Sequence, residues 1–241
     1  MKRFVPCVIL AVMAAVSGCA TIGNFQAPSL HFQSPVIAAS DKENPSPDQA
    51  TLYLNVVGGL VTQRNYGAAL AFLDDYAVRE RDRPSRYWLL RGDALLGLGR
   101  GSEAQLAYDH LDATPLAPQG WNGKGRAAAA IQRWPDAATD FRVAATMLPS
   151  NAEILNNLAF AEMHLGDGQS SVAILRQARE LDPGSNLIRN NLIVALTLAG
   201  DRGGAEKMLG DIRNISERNN VRDFAQKAAA SRDLIQDGRS Q

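Results

Sequence analysis

The feature that most limits how this chain can fold is a repeat of about 34 residues, with fixed size classes at fixed places. A slide of 34 takes Trp121 onto Leu155, Gly125 onto Ala159, Ala137 onto Ser171, Phe141 onto Leu175, Ala144 onto Ala178 and Pro149 onto Pro183. A further 34 takes Leu158 onto Leu192, Gly166 onto Gly200, Ser171 onto Ala205 and Leu175 onto Leu209. A backward slide of 33 takes Trp121 onto Trp88, Gly125 onto Gly92, Ala137 onto Ala104 and Phe141 onto Tyr108. Self-similarity at such a period means one supersecondary unit stacked on copies of itself, because a single unit cannot bury its own apolar face.

The residue types say what that unit is. Small residues at Gly92, Gly125 and Ala159, and at Ala104, Ala137, Ser171 and Ala205, let two helices approach closely. Large residues beside them fill the adjoining gaps, as interdigitated helix packing requires. Gly99, Gly166 and Gly200 fall where the first helix of a pair ends and a left-handed residue is wanted. Pro135 suits the first turn of a second helix, and Pro149 and Pro183 fall just past second helices. Repeat three is read as 118–151 and repeat four as 152–185. Repeat one, at about 50–84, is degenerate but retains Tyr66, Ala69, Leu73 and Tyr76. Repeat five runs from 186 to about 218 and lacks the final proline.

This order of large, small, aromatic, Ala, large, Ala and Pro resembles the tetratricopeptide repeat (TPR). The resemblance implies an all-α, right-handed α-solenoid of about five helix pairs over roughly 50–218. Two residues depart from the pattern: Lys124 stands where leucine is usual, and Glu162 where an aromatic is usual. Residues 219–236 read as a polar capping helix with Val221, Phe224, Ala225, Ala228 and Leu234 on one side. A finite solenoid needs such an end for solubility.

The N-terminus speaks to location. Lys2 and Arg3 precede an apolar run of 13 residues, Phe4 to Val16, followed by Val16-Ser17-Gly18-Cys19. That is a signal-peptide layout, too short for a membrane span. The junction resembles a bacterial lipobox, which implies cleavage after residue 18 and lipid on Cys19. Val16 replaces the commoner leucine of the box. Cys7 lies in the removed leader, so the mature chain has no disulfide partner for Cys19. Two or more acyl chains make attachment stable. Ala20, in place of an inner-membrane-retaining Asp, favours the outer membrane and a periplasmic orientation. Residues 19–47, broken by Pro28, Pro35, Pro45 and Pro47, read as a tether. It would span roughly 30 Å as a coil and at most about 95 Å extended. The repeat domain is then 48–236 and a polar tail 237–241.

The charges exclude one class of partner. Lys and Arg total 25 against 25 Asp and Glu, and loss of the leader leaves 23 against 25. No strongly basic face for nucleic acid is expected. Nothing resembles a catalytic or cofactor site. His31, His110 and His164 are scattered, and read as linker or helix-surface residues. Asp74 and Asp75 are adjacent on a helix and diverge. Gly58-Gly59 and Gly203-Gly204 lack the strand-to-helix setting of phosphate loops. Ser170-Ser171 has no nearby base. No enzyme activity, cofactor or metal is expected.

A protein-binding groove is expected instead. In the family, first helices line a concave face, and the resemblance places there Arg86, Leu89 and Asp93, then Asn122, Arg126 and Ala129. The same face continues through Asn156, Phe160 and Met163 to Asn190, Val194 and Thr197. The asparagine row suits the backbone of an extended peptide, and Phe160, Met163 and Val194 suit its apolar side chains. The two-lysine clamp of chaperone-binding relatives is absent, since the groove stretch of repeats three to five offers only Arg126. Asn156-Asn157-Leu158-Ala159 carries a narrower resemblance, as do Arg189-Asn190-Asn191-Leu192 and Ala199-Gly200-Asp201 with Ala205-Glu206. With the lipobox, these stretches resemble the TadD family of tight-adherence (Tad/Flp) pilus lipoproteins. That resemblance implies a pilotin-like helper with the outer-membrane secretin or other pilus-assembly components as partners. The type IV pilus pilotin and an adaptor for periplasmic cell-wall enzymes are the alternatives.

Overall fold

The computed structural model describes residues 47–239; the leader, Cys19 and nearly all of the tether lie outside them. Among the described residues there are helices and no strand. The first pair is α1 (Pro47–Thr62) and α2 (Tyr66–Arg79), and the second α3 (Ser85–Gly97) and α4 (Gly101–Asp109). The third is α5 (Ala117–Ala130) and α6 (Trp134–Met147), and the fourth α7 (Ala152–Leu165) and α8 (Gly168–Leu181). The fifth is α9 (Asn186–Leu198) and α10 (Arg202–Gly210), followed by the capping helix α11 (Ile215–Arg239). The described residues thus form an α-solenoid of five helix pairs and a cap. The cap begins four residues before the sequence reading placed it. Val221 and Ala225 are buried against α9 and α10, with Phe224 and Ala228 beside them. Leu234 lies beyond the side chains described.

One backbone device builds every pair. The residue after the first helix is left-handed: Gly99, Gly166 and Gly200 at φ 75°, 89° and 84°. The next N–H then reaches back to the first helix, as Asp167 N–H does to Glu162 O at 3.0 Å and Asp201 N–H to Leu196 O at 2.9 Å. This bond satisfies a carbonyl that the helix end would otherwise leave open. The glycine signal misses pairs one and three, where Arg64 (φ 60°) and Gln132 (φ 62°) take the same conformation. Asn65 N–H to Leu60 O and Arg133 N–H to Ala128 O close the same ring there, at 2.8 and 2.9 Å. A Cβ in this region costs roughly 1 kcal/mol, which the closed ring offsets.

The small residues do what the repeat demands. A Cβ on Gly92 would sit 2.4 Å from the Tyr108 ring, and one on Gly123 would sit equally close to it. Gly125 stands against Phe141 in the same way, at 2.6 Å. Ala104, Ala137, Ala144, Ala159 and Ala178 are all fully buried. The two departures from the repeat pattern are also explained. Lys124 is buried, yet its Nζ donates to Asp109 and Asp112 at 2.7–2.9 Å and lies over the Trp121 ring. Burial alone would lower its pKa, but the two carboxylates outweigh that and raise it. Glu162 is buried and accepts from Arg142 of the preceding pair.

Candidate partner-binding groove

The first helices of successive pairs touch one another, α1 with α3, α3 with α5, α5 with α7 and α7 with α9, while second helices make no comparable contact. First helices therefore line the inner face and second helices the outer one. The groove residues read from the sequence do lie on first helices, but their side chains divide into three groups.

Asn122 and Asn156 are only 8% and 5% exposed, and both bond to the next pair. Asn157 Nδ2 donates to Asn122 Oδ1 at 3.0 Å, and Asn191 Nδ2 donates to Asn156 Oδ1 at 2.8 Å. Each link spans 35 residues, one repeat plus one, and this ladder ties the first helices together. Asn190 ends it: its Oδ1 accepts from Arg189, whose guanidinium also pairs with Glu217 of α11. Sequence reasoning missed Asn157, Asn191 and Arg189. The signal was present, since an Asn-Asn pair recurring one repeat later sets the 35-residue spacing. In both links the carbonyl oxygen of the lower asparagine is used. Among the described residues, Nδ2 of Asn122 and of Asn156 has no protein partner and neither is sealed from solvent.

Met163 and Val194 differ from expectation. They are 6% and 3% exposed and belong to the core running from α7 to α11. The cause is the first-helix seam itself, which covers side chains flanking it. Phe160 is half-buried and supplies the apolar surface, edge-on to Trp134 at 5.8 Å and to His164 at 4.8 Å. His164 departs from the helix-surface reading: it stacks on Trp134 at 3.6 Å and its Nε2 is buried without a partner. Burial pushes its pKa down to about 4, so the ring is neutral at physiological pH. His110, by contrast, is exposed and stacks on Trp88. His31 lies outside the described residues.

The third group is charged. Arg126 is exposed, but its Nη1 donates to Asp93 Oδ1 at 3.1 Å, where the Tyr108 hydroxyl donates at 2.9 Å. Burial, and next the Asp93 charge, raise the Tyr108 pKa. Arg86 is exposed beside Gly58 of α1, Leu89 and Ala129 are half-buried, and Thr197 bonds back to Ile193 O. Among the described residues no cluster of His, Cys, Asp and Glu is placed to hold a metal ion. No described helix is long and apolar enough to cross a membrane.

Two overlapping stretches, 89–152 and 122–186, match the family model for the tetratricopeptide repeat. The helix pairs over 89–186 are thus similar to tetratricopeptide repeats. The chain is 29% identical over 161 residues to the TPR repeat-containing protein PA4299 of Pseudomonas aeruginosa, a match covering 66% of this chain. The match spans 62% of that relative's length, less than two thirds. Solved structures share the fold. One is a thermophilic tetratricopeptide protein of Thermus thermophilus, with a TM-score of 0.59 at 20% identity, covering 74% of this chain and 97% of that one. Another is MamA from residue 41 onward of Desulfovibrio magneticus RS-1, with a TM-score of 0.57 at 19% identity, covering 79% and 98%. Arrays of this kind present an extended concave surface along their first helices, and this chain shares that architecture.

Proposed function

We propose that the chain is a lipid-anchored scaffold facing the periplasm from the outer membrane, whose groove holds an extended segment of a partner in a cell-envelope machine. The machine favoured is the tight-adherence pilus with its outer-membrane secretin. Support for the anchor is the Ser17-Gly18-Cys19 junction after a short apolar leader, and support for the pilus is the resemblance over 156–159 and 189–206.

The observation that carries the groove reading is the direction of the asparagine ladder. Both carbonyl oxygens are spent between pairs, so Asn122 and Asn156 offer only N–H donors to a ligand. They favour backbone carbonyls, and Phe160 offers a nearby apolar shelf. A carbonyl that leaves water unpaired loses about 1–3 kcal/mol, so two fixed donors fix the register of an extended strand.

The test keeps the ladder and removes the donors. In an Asn122→Asp, Asn156→Asp double variant each carboxylate still accepts from the next pair, but repels a carbonyl. The variant should keep the helical circular dichroism, with a melting temperature lowered by burial of the two carboxylates, while secretin binding weakens at least about tenfold at a temperature where both proteins are folded. Unchanged secretin binding would sink the groove reading. In cells, Cys19→Ala should lose labelled palmitate and leave the outer-membrane fraction; a variant that remains there argues against the anchor.

A further inference from the structure

The seam beneath the capping helix is hollow where the seam before it is full. Between pairs four and five, Val172, Ile188, Leu192 and Leu196 are 3–6% exposed and fill the space. One repeat later the same places hold Glu206, Arg222, Gln226 and Ala230. Of these, Arg222 is half-buried and the other three are exposed. Four packed aliphatic side chains give way to two charges, an amide and a methyl, and the volume they filled is left open. A cavity of about 590 Å³ results between α9, α10 and α11. That volume falls within the range of small-ligand sites, roughly 300–1,000 Å³.

The lining says what fits it. Ala205, Leu209, Ala225, Ala229 and Ala230 form an aliphatic wall, and among the described lining residues there is no aromatic ring. A flat ring would find nothing to stack on. Arg222 makes two bonds to Glu206, at 3.2 and 2.8 Å, and so bridges α10 and α11. That pairing holds the Glu206 carboxyl below its usual range and keeps it ionised. The Thr197 hydroxyl donates to Ile193 O of its own helix. Of the polar side chains lining the cavity, only Gln226 and Arg202 are uncommitted, and both are exposed. A sugar or a peptide backbone would therefore leave most of its hydrogen-bonding groups unpaired here. Arg202 and Arg222 against Glu206 leave the lining with one positive charge, and Arg202 carries it. An aliphatic wall beside one free guanidinium suits a flexible hydrocarbon chain that ends in a carboxylate.

We propose that this cavity binds a free fatty acid of medium length, its methylenes against the alanine and leucine wall and its carboxylate paired with Arg202. The site is separate from the groove, since Asn122, Asn156 and Phe160 do not line it.

The test uses residues 19–241 with Cys19→Ala, which retains the whole solenoid and needs no detergent that would compete for the site. Calorimetric titration with sodium dodecanoate, below its micelle concentration, should show one acid per chain. Affinity should rise roughly fourfold for each carbon added from octanoate to dodecanoate, the gain of one buried methylene. Arg202→Glu, on an exposed residue, should keep the parent's circular dichroism and melting but weaken dodecanoate binding at least about tenfold. It should leave the weaker binding of neutral monododecanoyl glycerol unchanged. Gln226→Leu with Ala230→Leu restores the residues of the preceding seam, and should abolish binding while melting at or above the parent's temperature. Absence of saturable binding overturns the proposal. So does dodecanoate binding that ignores Arg202→Glu or survives the refilled seam, since the acid then sits elsewhere. Neutral ester bound as tightly as the acid gives the cavity to the acyl chain of a lipid and overturns it too. A refilled chain that melts below the parent shows that the space is not open, with the same consequence.

Discussion

Pairs one to three and pairs four and five reach the same architecture by different means. In the C-terminal part each helix start carries its own signal. Asn151, Asp167, Ser185 and Asp201 accept with their side chains from N–H groups three residues on, at 2.8–3.3 Å. In the N-terminal part Asn65, Pro84, Arg100, Leu116 and Arg133 stand at the same places and none makes such a bond. The seams differ likewise. Between pairs four and five, Ile188 and Leu192 pack with an asparagine link above them. Between pairs two and three, glycine, one Tyr108 ring and a lysine held by two aspartates fill the same space. Helix α5 has three glycines, at 120, 123 and 125, and each glycine costs a helix interior up to about 1 kcal/mol. The C-terminal pairs are therefore written locally, and the third pair holds its first helix through tertiary contact.

The sharpest way to break this contrast is to fill the glycines. Gly123→Ala should cost about 3 kcal/mol in denaturant unfolding, because the added methyl meets the fully buried Tyr108 ring. Gly210→Ala on α10 has open space and should be neutral or slightly stabilising. Equal effects would mean that the seam is looser than its geometry.

Acid should loosen the middle of the array next. His164 has its folded pKa lowered to about 4, so the unfolded chain takes up the proton first as pH falls below about 6.5. Stability is then lost between about pH 6.5 and 4, by about 2 kcal/mol at pH 4.5. His164→Phe should flatten that part of the profile. If the His164→Phe profile keeps the parent's slope between about pH 6.5 and 4, the burial of His164 is not what sets it.

The ladder comes third. Asn156→Ala leaves the Asn191 amide without its acceptor and should cost about 1–2 kcal/mol, with faster amide exchange at the α7–α9 seam. A cap is worth somewhat less: Asp201→Ala should cost about 1 kcal/mol, while Arg100→Ala at the matching start of α4 should change stability much less. Smallest is Lys124→Leu, the residue usual in the repeat family. It removes a buried charge whose aspartates are themselves well exposed, and should fall within about 1 kcal/mol of the parent. A loss of several kcal/mol would show that the ion cluster holds pair three in place.

Much of this was legible in residue order. The pairing of helices, the glycine turns at 99, 166 and 200, and the small residues opposite Tyr108 and Phe141 follow from size and backbone freedom. Those properties are local and recur with the period. The groove was legible as a face but not as a surface. The alternation that puts Asn122, Asn156, Met163 and Val194 on the inner side of their helices says nothing about how closely neighbouring first helices approach. That approach covers Met163 and Val194 and consumes the asparagine oxygens. His164 was misread for the same reason, since Trp134, the ring that covers it, lies 30 residues away and belongs to the neighbouring pair.

The sequence by itself therefore determined the unit, its length and its ends, because a helix pair is set by turn chemistry and by the volumes that meet inside it. It also carried the linear pattern on which the proposed leader and the proposed anchor at Cys19 rest. Only the tertiary structure decided which polar atoms remain for a ligand and which apolar face is left uncovered. Those depend on the distance between stacked pairs, a quantity that arises only when the pairs pack.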